Sequence, residues 1–244
     1  LTSSPAEEGW KAGAAAVTIT PDEFFWMAGY GSRSAPAEGK QTELFAKALV
    51  LEDSRGKRGL ILTLDIVGID REFAGKVTAQ LKSTHGFSRD QIALCTSHTH
   101  SGPVVVRNLG PLHYWSLDAE QQKGIDAYAD VLLGKIVAVT GEALATLAPA
   151  RIQAGSGKCT FAVNRRENKE PEVPASRTAG TLAGPSDHDV PVLSVRSPEG
   201  ALRAVLFGYA CHATVLSGME WNGDYPGYAQ AELEKNFPGT VALF

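Results

Sequence analysis

Short apolar runs alternate with helical segments along this chain of 244 residues, and this alternation restricts the fold more than any other feature. The runs are rich in valine, isoleucine, leucine or alanine and are bounded by glycine, proline, aspartate or serine, as β-strands are. They comprise residues 14–20, 45–52, 59–66, 91–97, 150–154, 190–195, 202–211 and 240–244. Several are almost continuously apolar, which is typical of strands covered on both faces.

Three helices are predicted between these strands. Residues 71–84 carry apolar side chains four positions apart, which places them on one helix face. Residues 119–147 carry a longer apolar stripe and follow Asp118, which forms a capping-box pattern with Gln121. Residues 227–236 make the third helix. Because strands alternate with helices, the sequence predicts an α/β fold with mixed β-sheets packed centrally and flanking helices.

Composition excludes several classes of protein. Hydrophobic residues make up 43% of the chain, too many for a disordered protein. A membrane span needs about 18 consecutive apolar residues, and no such run occurs. The net charge of −4 argues against general nucleic-acid binding, which needs a basic face. Three cysteines without a CxxC pair argue against a disulfide framework.

Two histidines with one residue between them, His98 and His100, follow the apolar run 91–97. Side chains two apart on a strand point to the same side, so both imidazoles are expected to face one point. Neutral imidazole binds zinc, and a catalytic zinc site keeps an open position beside its protein ligands. The pair therefore predicts a metal site at strand ends, with either two ligands or one ligand and one substrate-facing group. The alternative is two polar residues that merely end a strand.

Other strand ends carry candidate partners for these histidines. His212 follows the run 202–211, where it is either a further ligand or a hydrogen-bonded strand-end residue. Asp224 precedes the third helix, where a carboxylate caps the helix or orients a ligand histidine. Asp65 ends another strand, and its carboxylate and that of Asp224 are candidates to line the base of the site, although the sequence alone does not pair them.

Arginine and cysteine supply further candidates. Arg165 opens a long charged loop, and an arginine beside a metal site can stabilise a carbonyl oxygen or a developing oxyanion. Most arginines are instead solvated. Cys95 and Cys211 each precede a histidine, but Cys95 lies three residues before His98 and is expected on the opposite strand face. We therefore interpret both cysteines as small apolar strand residues.

These motifs occur in an order that resembles the neutral/alkaline, non-lysosomal ceramidase family over essentially the whole chain. The most specific match is the sequence from His98 to Pro103, His-Thr-His-Ser-Gly-Pro. The other matches are residues 13–21, the Met27-Ala28-Gly29-Tyr30-Gly31 loop, Phe45-Ala46-Lys47-Ala48, Asn164-Arg165, His212-Ala213-Thr214, and Gly223-Asp224 with Gly227-Tyr228-Ala229. By this resemblance Asp224, Tyr228 and Asp65 support the metal ligands or a substrate loop.

The resemblance implies a zinc-dependent amide hydrolase that cleaves the N-acyl bond of ceramide, or of a related N-acyl lipid, by a metal-activated water. It implies that His98 and His212 bind Zn²⁺ and that His100 and Arg165 lie against the scissile amide. It also implies a role in sphingolipid metabolism, a small-molecule or lipid amide as the substrate, and a secreted or periplasmic location. Peripheral contact with a membrane is compatible with it.

The resemblance also places two further metal ligands, a glutamate and a tyrosine, after Phe244. We therefore expect residues 1–244 to form an incomplete N-terminal catalytic domain with little or no activity alone. Departures from the family pattern surround the expected substrate rather than the ligands; they are Val104-Val105, Arg166-Glu167, Val215-Leu216 and Tyr225-Pro226. The alternatives are another amide substrate, an esterase or phosphoesterase using the same histidines, and a homologue that binds ligand without turnover.

Aromatic residues cluster in two loops of this chain. One group follows the first strand and the other follows the histidine pair; they are Phe24, Phe25 and Trp26, and His113, Tyr114 and Trp115. Aromatic side chains in such loops either line an apolar acyl site or anchor the loop on the core. The sequence leaves both functions open.

Overall fold

The apolar runs assemble into one large mixed sheet. A computed structural model describes residues 2–3 and 7–244. The strands are β1 (Thr2–Ser3), β2 (Glu7–Thr18), β3 (Gly39–Lys40), β4 (Phe45–Glu52), β5 (Arg58–Leu64), β6 (Ile92–Thr96), β7 (Ala148–Lys158), β8 (Asp189–Arg196), β9 (Leu202–Phe207), β10 (Glu220–Trp221) and β11 (Val241–Leu243). The sheet order is β11-β9-β8-β7-β2-β4-β5-β6, with β1 paired to β7, while β3 and β10 form a separate parallel pair.

The described helices are α1 (Arg71–His85), α2 (Ala119–Ala145), α3 (Val173–Ala179) and α4 (Asp224–Asn236). Helix α1 begins after Asp70, whose side chain accepts a hydrogen bond from the Phe73 N–H, and ends at Gly86 in the left-handed conformation. Helix α2 begins at the predicted capping box of Asp118 and Gln121. The predicted α/β fold is confirmed. None of the helices in the described residues is both long and apolar enough to cross a membrane.

The main core lies between the sheet and helices α1 and α2. Its fully buried members include Leu62 and Leu64 of β5, Val77 of α1 and Leu132 of α2. The sheet also curves, so that β9 and β11 approach β2 from the other side. A second apolar cluster fills the space inside this curve, with Ala12, Leu49, Ala150, Val195, Ala204 and Leu243 at its centre.

Strand β9 ends at Phe207, four residues before the predicted end of this run. Its neighbour β8 pairs Val192 with Phe207, and the next residue along that ladder is Pro191. Proline has no N–H group, so the antiparallel ladder cannot continue in its regular form. The prediction that His212 directly ends a strand is therefore wrong, because His212 lies in the loop that follows β9.

A buried lysine joins the sheet to α4 inside the curve. The Lys47 side chain is 2% exposed, and its Nζ donates to Glu234 Oε1 at 2.7 Å and to the Ala242 carbonyl at 2.9 Å. Burial raises the pKa of the nearby Asp65 carboxyl, and the positive charge of Lys47 opposes that rise. The lysine therefore links β4, β11 and α4 and balances acidic groups beside them.

We expect Lys47→Met to destabilise the protein. The change keeps most of the volume but removes the ammonium that donates to the Ala242 carbonyl and to Glu234, whose carboxylate keeps only its bond from the Ala242 N–H. Breaking a fully buried ion pair costs about 3–5 kcal/mol in the free energy of unfolding. Because Glu234 is 31% exposed, we expect the smaller loss of about 2–3 kcal/mol for Lys47→Met. Urea denaturation measures it, with Lys76→Met as the control, since Lys76 pairs with Glu72 on the surface. Equal stabilities for the two variants would show that Lys47 does not stabilise the fold by linking β4, β11 and α4.

Candidate metal centre

Three imidazoles from two loops converge on one point. His98 and His100 lie in the loop after β6, and His212 lies in the loop after β9. One nitrogen of each ring lies within 4.8 Å of the others. The Nε2 atoms of His98 and His100 are 3.4 Å apart, and His212 stacks on His98 with a centroid distance of 4.8 Å. These three histidines form the candidate metal centre.

The convergence has a different origin from the one the sequence indicated. Strand β6 ends at Thr96, so His98 and His100 lie beyond it and strand alternation does not aim them. His98 instead has a left-handed backbone, with φ of 60°, which is uncommon for a residue other than glycine. Its N–H donates to the Ile66 carbonyl, and the His100 N–H donates to Ala213 in the His212 loop. A strained turn held by backbone bonds therefore brings the two rings together.

The hydrogen bond of His98 prepares its ring for a metal. Its Nδ1 lies 2.5 Å from the Val67 carbonyl oxygen. A carbonyl only accepts, so Nδ1 carries the proton and donates it, which leaves a lone pair on Nε2. Histidines that bind metals commonly donate their other ring N–H in this way, because the bond fixes the tautomer and the ring orientation.

His100 has a different environment. Its Nδ1 is buried without a hydrogen-bond partner, and its Nε2 faces that of His98. Burial, followed by the neighbouring His212 and His98, lowers the pKa of His100 to about 4, so the ring is neutral near pH 7. Burial and His98 also lower the pKa of His212, which Asp224 partly opposes. His98 therefore has the hydrogen bond typical of a ligand, whereas His100 does not.

The dimensions of the cluster suit a metal ion bound by imidazoles. Two nitrogens at about 2.0–2.1 Å from a tetrahedral zinc ion are about 3.3 Å apart. The His98–His100 separation of 3.4 Å matches this value, and the widest separation of 4.8 Å requires one ring to move inward. The cluster can hold a metal ion, and imidazole nitrogen suits zinc, copper or nickel.

Asp224, at the start of α4, holds the His212 loop by hydrogen bonds. Its side chain is fully buried, and its carboxylate accepts from the N–H groups of Val215 at 3.3 Å and Leu216 at 2.8 Å. It also accepts from the Tyr225 N–H at the start of α4. The carboxylate therefore ties the loop that carries His212 to the start of α4, and its function in orienting a ligand histidine stays a prediction.

Asp65 and Tyr228 lie further from the imidazoles. Asp65 is buried, accepts from the Phe45 N–H at 3.0 Å and lies 3.4 Å from Gln230 of α4. Tyr228 is 46% exposed on α4, with its hydroxyl 3.4 Å from Gln41. Asp65 holds strand ends together beneath the site, whereas Tyr228 faces solvent. Their support of a metal or a substrate stays a prediction.

Arg165 is not part of the imidazole cluster. Its exposed side chain forms an ion pair with Glu170 at 2.9 Å within the same loop. The negative charge of Glu170 acts on Tyr30, whose ring edge packs against His100 at 4.8 Å. Contact of Arg165 with a substrate stays a prediction.

The residues that pack around His100 were missed as functional candidates. Gly29, with φ of 103°, lies so close that a Cβ atom there would be 2.3 Å from His100 Cγ. The Gly29 N–H donates to Nε2 of the buried His113 at 3.0 Å. Arg33 donates to the His100 carbonyl. The residues from Gly29 to Gly31 belong to a motif that resembles the ceramidases, but nothing local in the sequence connects that loop with His100.

The aromatic loops mainly anchor the surrounding structure. Phe25 packs against Tyr128 and Trp221, and the buried Tyr114 donates its hydroxyl proton to Asp126 of α2. Trp115 and Phe24 differ from them because they are 62% and 54% exposed. Anchoring therefore explains the buried members of the two loops, whereas Trp115 and Phe24 stay available for contact with another molecule.

The fold and the three imidazoles together define a mixed α/β domain with a candidate metal centre. The chain belongs to the neutral/alkaline non-lysosomal ceramidase family, because the model of that family's N-terminal region matches residues 11–242. This membership confirms the resemblance seen in the motifs. The neutral ceramidase of Pseudomonas aeruginosa is 27% identical over 231 residues, covering 89% of this chain and 33% of the relative. The neutral ceramidase of Drosophila melanogaster is 25% identical over 233 residues, which cover 92% of this chain and 32% of the relative.

Solved structures show the same fold. The crystal structure of the Pseudomonas aeruginosa neutral ceramidase matches with a TM-score of 0.77 and 23% identity, covering 98% of this chain and 38% of the other. A ceramidase complexed with C2 matches with a TM-score of 0.76 and 24% identity, and the match covers 98% of this chain and 37% of the other. The chain thus spans about a third of the length of the relatives that it matches.

Proposed function

We propose that this protein is a zinc-dependent amide hydrolase that cleaves the N-acyl bond of ceramide or of a related N-acyl lipid. Membership of the ceramidase family supports the class of reaction. The observation that carries the proposal is the His98 ring, whose Nδ1 is engaged by the Val67 carbonyl and whose free Nε2 faces two further imidazoles.

The imidazoles divide into two functions in this proposal. His98 and His212 hold the zinc ion, which when bound polarises a carbonyl and lowers the pKa of a water molecule. His100 lies beside them, neutral and without a partner on Nδ1, and handles a proton at Nε2 near the leaving nitrogen. A base of low pKa is a weak proton acceptor, so contact with substrate has to raise the pKa of His100 for this function.

Arg165 stabilises the developing oxyanion in this proposal. Its guanidinium is engaged by Glu170 in the protein alone, and this exposed ion pair is weak enough to exchange for a substrate oxygen. A charge-assisted hydrogen bond in a partly desolvated site is stronger than the same bond in water. Substrate binding therefore has to draw Arg165 from Glu170 toward His100.

Exposed apolar side chains beside the centre support a lipid substrate. Leu112 packs against Gly31, next to Tyr30, and is 47% exposed. Val215 is 64% exposed in the His212 loop, to which the Tyr30 hydroxyl donates at the Leu216 carbonyl. These two side chains offer apolar contacts for an acyl chain in the loops that pack around the imidazoles. Export to the periplasm or medium also belongs to the proposal, and cell fractionation tests it.

Hydrolysis assays test the function. The protein, expressed from its complete reading frame and loaded with zinc, is expected to release fatty acid from short-chain N-acyl sphingosines. Simple amides, carboxylic esters and phosphate esters are assayed alongside. Cleavage of esters or phosphate esters without amide cleavage would favour another metallohydrolase. Binding of N-acyl sphingosine without any turnover would favour a non-catalytic homologue.

A further inference from the structure

The Arg33 guanidinium bridges three segments around the histidine cluster. Its Nη1 donates to the Ala28 carbonyl at 2.7 Å and to the His100 carbonyl at 2.6 Å. Its Nη2 donates to the Gly218 carbonyl at 3.1 Å. Ala28 precedes the Gly29–Tyr30 turn, and Gly218 lies in the loop that carries His212. One side chain therefore links both histidine-bearing loops and the loop that covers His100.

The charge of Arg33 has an unusual environment. All three hydrogen bonds go to backbone carbonyls, and among the described residues no carboxylate forms an ion pair with Arg33. Burial lowers its pKa, which expresses the cost of desolvating the charge. Its guanidinium carbon also lies 4.8 Å above the Tyr30 ring, a cation–π contact. Charge-assisted bonds to three carbonyls offset the free-energy cost of burying the charge. They do so only while the segments that carry these carbonyls remain within hydrogen-bond distance of the guanidinium.

We propose that Arg33 is a positioning residue that holds the His98–His100 loop and the His212 loop in register, and so sets the affinity and coordination geometry of the metal centre. The proposal rests on the proposed metal site and does not depend on the identity of the substrate. Without the guanidinium, the loops keep neutral backbone bonds, such as those from the His100 N–H to the Ala213 carbonyl at 3.3 Å and from the Ala28 N–H to the Gly102 carbonyl at 2.9 Å. Such bonds lack the charge assistance that the guanidinium provides.

Arginine suits this position better than lysine. The planar guanidinium presents its donors in a fixed fork, so a single side chain can bond three carbonyls that lie in different directions. A lysine keeps the charge but directs its donors from one nitrogen atom. It is therefore expected to recover part of the effect, whereas glutamine, which lacks the charge, recovers less.

Cobalt binding tests the proposal without relying on activity. The visible absorption of bound Co²⁺ reports coordination geometry, and its titration gives the affinity. We compare the wild-type protein, expressed from its complete reading frame, with Arg33→Gln, Arg33→Lys and Arg89→Gln. Arg89 is the matched control, because its Nη1 also donates to a backbone carbonyl, that of Ile92, at the opposite end of β6 from His98. Circular dichroism establishes that each variant is folded.

Arg33→Gln is expected to weaken Co²⁺ binding by about 10- to 100-fold, as the loss of groups that support metal ligands does, and to change the spectrum. Arg33→Lys should lie between it and the wild type, and Arg89→Gln should match the wild type. If Arg33→Gln does not fold, Arg33→Lys alone decides the question. Wild-type affinity and spectrum in the folded Arg33 variants would overturn the proposal for Arg33 only. Absence of Co²⁺ binding by the wild type would overturn the metal site as well.

Discussion

His98→Ala is expected to abolish stoichiometric zinc binding while the protein remains folded. The variant loses the nitrogen whose tautomer the Val67 carbonyl sets and around which the other two imidazoles are arranged. Groups that only orient a ligand contribute about 10–100-fold to metal affinity, so loss of the ligand itself should cost at least about 100-fold. Amide hydrolysis should fall to background with the metal. Metal analysis of the dialysed protein and a zinc titration measure the effect.

His85→Ala is the control for this change. Its Nε2 lies 2.9 Å from the Val137 carbonyl, so this imidazole also bonds a backbone carbonyl, but it lies at the end of α1. Both variants lose one hydrogen bond from an imidazole to a carbonyl, worth about 1 kcal/mol in the free energy of unfolding, so their metal-free forms should unfold at similar temperatures. Of the two variants, only His85→Ala should keep the zinc content of the wild-type protein. Zinc retention in His98→Ala would remove the basis of the proposed function.

Gly29→Ala is expected to separate the function of His100 from metal binding. A methyl group at this position would lie 2.3 Å from His100 Cγ, so the ring has to move away from Gly29. The backbone there has φ of 103°, a conformation that alanine adopts only with strain. Misplacing a reacting group by about 1 Å can cost about 100-fold in rate. We therefore expect hydrolysis to fall by about 100-fold while His98 and His212 keep zinc at near wild-type content.

Gly56→Ala isolates the backbone contribution to that result. Gly56 has φ of 79° in a surface turn, and a Cβ atom there would meet no other atom within 4 Å. Its substitution introduces strain of about 1–2 kcal/mol without touching the site. It should lower the unfolding temperature yet leave hydrolysis unchanged. Full activity in Gly29→Ala would contradict the assignment of His100 as the group that handles a proton.

Most of the fold follows from local patterns in the sequence. The run 45–52 becomes β4 with the same bounds, and the capping box at Asp118 starts α2 where expected. Apolar periodicity and helix caps act over a few residues, so they can be read without the fold. The error at β9 has a non-local cause, since the proline that ends its ladder belongs to the neighbouring strand β8.

The candidate site was less accessible to the same reasoning. The sequence identified His98, His100 and His212 as candidates, but strand alternation was the wrong reason for expecting their side chains to converge. Five strands separate β6 from β9 in the sheet. Their loops meet because the sheet curves and because backbone bonds link His100 to Ala213. Arg33 and Gly29 were missed because their effect on His100 is a contact between distant parts of the chain.

The sequence by itself determined the α/β class, the identity of the three imidazoles and the family resemblance, because residue types, spacing and motif order are written along the chain. Only the tertiary structure decided which ring nitrogen of His98 is free, that Asp224 holds the His212 loop, and that Arg33 joins both histidine loops. These properties depend on distances of about 3 Å between residues far apart in sequence, and hydrogen bonds act only at such distances.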